Sequence, residues 1–197
     1  MTQKTSVVTT ERFAKGLTYQ EFLAQAKVNL EQFHKWYNDF NPNPDDLAFF
    51  RRAMAHPRGP GKVLALAEDW CPDVYRGLPV MAKVAEAVGL ELKVFPRDLN
   101  LDIMDEFLYQ GQYRSIPTFV FYTKNMEYLC HWIERPALAN RETAEVTEQL
   151  KREMPGAKEE DIRAERRKRL LARWPAWQQE TVREIRHLLA QTLQIPP

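Results

Sequence analysis

The sequence predicts an α/β domain built on a mixed β-sheet and extended by helices at both ends. Three observations carry this. Lys62-Val63-Leu64-Ala65-Leu66-Ala67 is an apolar run of strand length that leads into a helical pattern. A second run, Leu90-Glu91-Leu92-Lys93-Val94-Phe95, follows that pattern. A strand, a helix and a strand in this order require parallel pairing of the two strands. Ile116-Pro117-Thr118-Phe119-Val120-Phe121-Tyr122 and Tyr128-Leu129-Cys130-His131-Trp132-Ile133 then read as a hairpin joined by Thr123-Lys124-Asn125-Met126-Glu127, an antiparallel pair. The stretches on either side carry apolar residues at three- and four-residue spacing instead.

Taken in order, residues 1–60 form a helical extension. Thr18 and Glu21 have the spacing of a capping box. Phe22, Leu23, Ala26, Leu30, Phe33, Trp36, Tyr37 and Phe40 follow as the apolar stripe of one helix. That aromatic stripe is packing rather than a cofactor box. Asn41-Pro42-Asn43-Pro44 breaks it, and a short helix runs from Asp45 or Asp46 to Met54. His56-Pro57-Arg58-Gly59-Pro60-Gly61 is a linker. Residues 61–153 hold the alternating region. Its main helix spans 72–88, where Leu78, Val80, Met81, Val84, Ala85 and Val88 recur before Gly89. A short helix is expected around Ile103–Leu108, and Pro136 closes the hairpin. A helix from Leu138 to Glu153 ends at Pro155-Gly156. Residues 154–197 form a charged helical extension that Pro175 bends or divides. Within it, Arg166-Arg167-Lys168-Arg169 is preceded by Glu159, Glu160, Asp161 and Glu165, which reads as a solvated, salt-bridged face rather than a nucleic-acid patch. Trp174 and Trp177 belong to the core or to a dimer contact, and these C-terminal helices are the surface offered for homo-oligomerisation.

Composition narrows the function classes. Of 197 residues, 44% are hydrophobic and 28% charged, as in a soluble globular protein. A formal net charge of +1 gives no reason to expect nucleic acid or an anionic membrane as partner. The N-terminal residues lack an apolar signal core, and no run reaches the roughly 18 apolar residues of a membrane span. Two cysteines make no disulfide framework, so a reducing cytoplasm is the expected setting. His34, His56, His131 and His187 have no ligand spacing, so no metal site is expected, and no motif calls for a cofactor.

The chemistry concentrates at Trp70-Cys71-Pro72-Asp73-Val74. The strand before and the helix after place Cys71 at a helix start, with Pro72 at a position that favours initiation. Unpaired backbone N–H groups there favour the thiolate. Glu68, Asp69 and Asp73 act in the opposite direction. Asp69 and Asp73 have Arg76 and Arg114 as candidate partners. Both signs remain open from sequence. Cys130, between Leu129 and His131 in a strand, is a buried small hydrophobe, and its strand neighbour His131 points to the other face.

Three features together resemble the thioredoxin family. They are the strand–Trp70-Cys71-x-x–helix element, the segment Arg114-Ser115-Ile116-Pro117-Thr118, and the order β-α-β-α-β-β-α across 61–153. The resemblance implies a thioredoxin-like three-layer fold with a mixed sheet, and a cis Pro117 facing the cysteine. It implies Cys71 as the attacking thiol, and Trp70, Asp73, Arg114, Ile116 and Pro117 as the substrate-binding set. It also marks two departures. Val74 stands where the resolving cysteine belongs, and Ala65 where many thioredoxins carry a buried acid. Dithiol turnover within this chain is therefore excluded. A monothiol exchange remains, in which a small thiol or a thiol- or disulfide-bearing protein serves as partner. The alternative is a thioredoxin-fold module for binding or assembly, without turnover.

Overall fold

The computed structural model describes residues 6–197; the expectation about the opening of the chain at Met1–Thr5 lies outside them. A four-stranded sheet in the order β2-β1-β3-β4 forms the centre. Its strands are β1 (Pro60–Ala67), β2 (Glu91–Pro96), β3 (Thr118–Thr123) and β4 (Tyr128–Ile133). β1 pairs with β2 in parallel and with β3 antiparallel, and β3 pairs with β4 antiparallel. The sheet is mixed, with helices flanking it. Val63 to Ala67 are all fully buried, which is why β1 reads as an uninterrupted apolar run. β1 starts two residues before the expected strand. Gly61 lies so close to Lys124 that an added Cβ would sit 2.5 Å from its Cγ, and the ladder to β3 shifts register there.

Helix α1 (Thr10–Ala14) precedes α2 (Tyr19–Gln25), whose capping box is formed: Glu21 N–H donates to Thr18 Oγ1 and Thr18 N–H to the Glu21 carboxylate. Between them, Leu17 exchanges two backbone hydrogen bonds with Val94 and covers the edge of β2. The single helix expected from Phe22 to Phe40 is two helices, α2 and α3 (Leu30–Asp39). Ala26 is extended, and Asn29 takes the left-handed region at φ 58°. The freed N–H groups of Lys27 and Val28 donate to the Asp69 carboxylate at 2.6 and 3.3 Å, and Asn29 Nδ2 donates to Asp69 O at 2.9 Å. A periodic apolar stripe thus hid a break whose hydrogen bonds are satisfied by a residue far along the chain. Replacing Asp69 by alanine should lower stability by about 1–2 kcal/mol, as lost charge-assisted hydrogen bonds do. Urea unfolding with an unchanged m-value checks this; an unchanged midpoint would count against the tether.

Helix α4 (Pro44–Ala55) is capped by Asn43. Helix α5 (Pro72–Val88) has the expected bounds and ends at Gly89 in the left-handed region, where a side chain would be strained. After β2 come a 3-10 turn (Arg97–Leu99) and α6 (Leu101–Met104), which lies earlier than the expected helix. Helix α7 (Ala137–Glu153) follows β4. Pro175 divides the C-terminal region: α8 (Glu159–Leu171) stops, and α9 (Trp174–Leu193) starts with Pro175 in its first turn. One contiguous core joins residues from Val8 to Leu193. α3, α4 and α9 all pack on α5, so both terminal regions support the helix that begins at Cys71. Among the described residues no helix is long and apolar enough to cross a membrane.

Candidate functional site

Cys71 caps the N-terminus of α5 with its backbone, and Val74 and Tyr75 N–H both donate to its carbonyl at 3.1 Å. The Ile116–Pro117 peptide bond is cis, and the Cys71 thiol donates to Ile116 O at 3.7 Å. The turn around that bond is held from both sides. Thr118 Oγ1 donates to Ser115 O at 2.8 Å, and Glu134 N–H to Pro117 O at 2.7 Å. Gly77 permits α5 to lie against this turn, since an added Cβ would meet Pro117 Cγ at 3.3 Å.

The two influences on Cys71 that sequence left opposed are resolved by packing. The thiol is only 9% exposed, and burial pushes its pKa above the ordinary thiol value, with the Asp73 charge acting in the same direction. The N–H groups of Val74 and Asp73 and the Arg76 charge act the other way and do not prevail.

Trp70 is 49% exposed, with the Arg97 guanidinium 5.1 Å from its ring. Arg97 also donates to Arg114 O at 3.1 Å. The Arg114 side chain itself donates to the Asp105 carboxylate through two nitrogens, at 2.7 and 2.9 Å. Ile116 and Pro117 are buried, with the Ile116 carbonyl facing the thiol. Asp73 does not turn toward the solvent. Its carboxylate pairs with Arg76 at 2.6 Å and with Arg135 at 3.6 Å. Of the candidate partners for the two acids, Arg76 takes Asp73, while Asp69 takes the α2–α3 break.

The surroundings of the thiol bring together residues that the sequence did not place beside it. Arg76 is buried between the Trp174 and Trp177 rings, 5.6 and 5.2 Å from its guanidinium, and Gln178 Nε2 donates to its carbonyl at 3.0 Å. Trp174 and Trp177 are therefore core, against α5. Arg167 donates to the hydroxyl of the buried Tyr75 at 2.5 Å, and Arg135 reaches the site because Glu134 is tied to Pro117. The only sequence sign of this shell was Arg76 at three residues from Asp73, a helical ion-pair spacing. The rest comes from segments too distant for any local pattern.

Cys130 is buried, and burial pushes its pKa up to about 12, far from any use as a nucleophile at neutral pH. Its neighbour His131 takes another direction and contacts the Tyr128 hydroxyl at 2.6 Å. Among the described residues no group of three or more His, Cys, Asp and Glu side chains could hold a metal ion.

Comparison with known proteins agrees with this fold. The chain superposes on the crystal structure of a protein of unknown function, PA1234 from Pseudomonas aeruginosa, with a TM-score of 0.66 and 15% identity over 93% of this chain and 98% of that one. It also superposes on the HIV epitope-scaffold 4E10_S0 with a TM-score of 0.63 and 15% identity over 93% and 99% of the two chains. At these identities the likeness is one of fold. No curated protein matches the sequence. A thioredoxin family profile, however, matches residues 16–151. That match runs through the strand–Cys71–helix element and the cis Ile116–Pro117 turn and covers most of the chain, which belongs to the thioredoxin family.

Proposed function

We propose that this protein is a thiol–disulfide exchanger of monothiol type, with Cys71 as its nucleophile. The observation that carries this reading is the pairing of Cys71 at the start of α5 with the carbonyl of Ile116 before cis Pro117, 3.7 Å from the sulfur. The Cys71 thiolate attacks one sulfur of a disulfide, a new S–S bond forms, and the other sulfur leaves as a thiolate. An external thiolate then attacks the mixed disulfide and expels Cys71. Ile116 and Pro117 with exposed Trp70 serve as the platform for the partner, while Asp73 and Arg114 act through their ion pairs. Val74 in place of a second cysteine makes the external thiol obligatory.

A thiol held above the ordinary pKa range is mostly protonated at neutral pH, so attack is slow there and accelerates as pH rises. Iodoacetamide alkylation of Cys71 should follow a pH midpoint above that of a free cysteine. Incubation with glutathione disulfide at alkaline pH should yield a mixed disulfide at Cys71, seen by mass spectrometry of its peptide. Absence of that adduct up to pH of about 10 would sink the exchange reading.

The same burial favours a second reading, a thioredoxin-fold binding or assembly module in which Cys71 is packing. It expects no adduct, and it expects Cys71→Ser to leave partner capture and oligomeric state unchanged.

A further inference from the structure

Beside the start of α5, a cleft of about 390 Å³ opens between α5, α7, α8 and α9. Its floor is apolar, from Pro72, Leu170, Trp174 and Trp177. Its walls carry five guanidiniums, of Arg76, Arg135, Arg163, Arg166 and Arg167, against the two carboxylates of Asp73 and Glu160. Asp73 is already engaged by Arg76 and Arg135, and Lys158 Nζ lies 3.7 Å from Glu160. The charges of α8 are sorted by face. Away from the cleft, Lys168 and Arg169 pair with Glu165, and Arg169 also with Glu153. Toward the cleft, among the described residues, Arg166 donates only to the Thr147 hydroxyl, at 3.0 Å, and Arg167 only to the Tyr75 hydroxyl. Arg163 has no hydrogen bond or ion pair among the described residues. Arg135 pairs through one terminal nitrogen with Glu134 and Asp73, while its buried Nε has no hydrogen-bond partner among them. The run at 166–169, expected as one salt-bridged face, is thus split between a paired side and an unpaired one.

Arginines at i, i+3 and i+4 on one helix face repel one another and stay unfavourable without a counter-charge. Guanidiniums converging over an aromatic floor suit a carboxylate or phosphate group, taken in bidentate fashion, with an apolar body beneath it. The size is that of a small-molecule site. We propose that this cleft binds a small organic anion, carrying carboxylate or phosphate groups, next to Cys71. This assignment goes beyond the exchange reading and does not depend on the reactivity of the thiol.

The test is calorimetric titration of the full chain with inorganic pyrophosphate and with phthalate, a dicarboxylate with an aromatic body. Two double variants accompany it. Arg163→Ala/Arg166→Ala removes two charges from the cleft, and Lys168→Ala/Arg169→Ala removes two from the paired side. Saturable binding of at least one probe is expected, weakened about tenfold or more by the first double variant and less than about twofold by the second. The preferred probe tells phosphate from carboxylate. Equal weakening by both variants, or no saturable binding of either probe by the unaltered chain, overturns the assignment.

Discussion

Replacing Asp73 by alanine is expected to destabilise the protein by about 3–5 kcal/mol, the range for breaking a buried ion pair from one side. The Asp73 side chain is 16% exposed and its partner Arg76 only 3%. Without the carboxylate, the Arg76 guanidinium remains between two tryptophan rings with the like-charged Arg135 nearby and its carboxylate partner gone. Chemical denaturation at neutral pH measures the loss. A double variant, Asp73→Ala/Arg76→Met, should recover most of it, because a well-packed apolar pair often equals a buried ionic one. A single-variant loss below about 1 kcal/mol would show that the pair is effectively solvated. The milder Asp73→Asn has a separate readout. It removes a negative neighbour that raises the Cys71 pKa, so the alkylation midpoint should move to lower pH. A midpoint that stays in place would mean that burial alone sets the thiol.

Trp174→Ala is expected to be of similar size, about 3–5 kcal/mol for a large aromatic removed from a core. Its ring lies 5.3 Å from that of Trp36 on α3 and 5.9 Å from that of Tyr75 on α5. It also covers Arg76. One side chain thereby joins the C-terminal helices, the N-terminal helices and the helix that carries the cysteine. Leu171→Ala is the matched control: three residues away and 47% exposed, it should change stability by less than about 0.5 kcal/mol. A loss at Trp174 as small as that expected at Leu171 would show that α9 contributes little to the core.

The legible part of this fold was the part written in short periods. Helix 72–88, with Pro72 at its start and Gly89 at its end, lies where spacing and caps placed it, and the strand at Tyr128–Ile133 has the bounds expected for it. Where the outcome differed, a distant residue intervened. The stripe from Phe22 to Phe40 keeps helical spacing across residues 26–29, yet Asp69 accepts the backbone N–H groups there and two helices result. Arg166 and Arg167 share a charged run with Lys168 and Arg169, and only the packing of α8 on α7, with Arg167 reaching Tyr75 of α5, turns the first two inward.

The sequence by itself determined the order of the four strands with the helix at 72–88 between the first two, the mixed sheet, and a cysteine at a helix start with Val74 three residues on. These depend on local periodicity, on capping, and on the identity of single residues. Tertiary structure alone decided that the thiol is hard to ionise, that Asp73 serves Arg76, and that five arginines gather beside it. Burial and charge proximity are sums over residues far apart in the chain, and no local pattern records them.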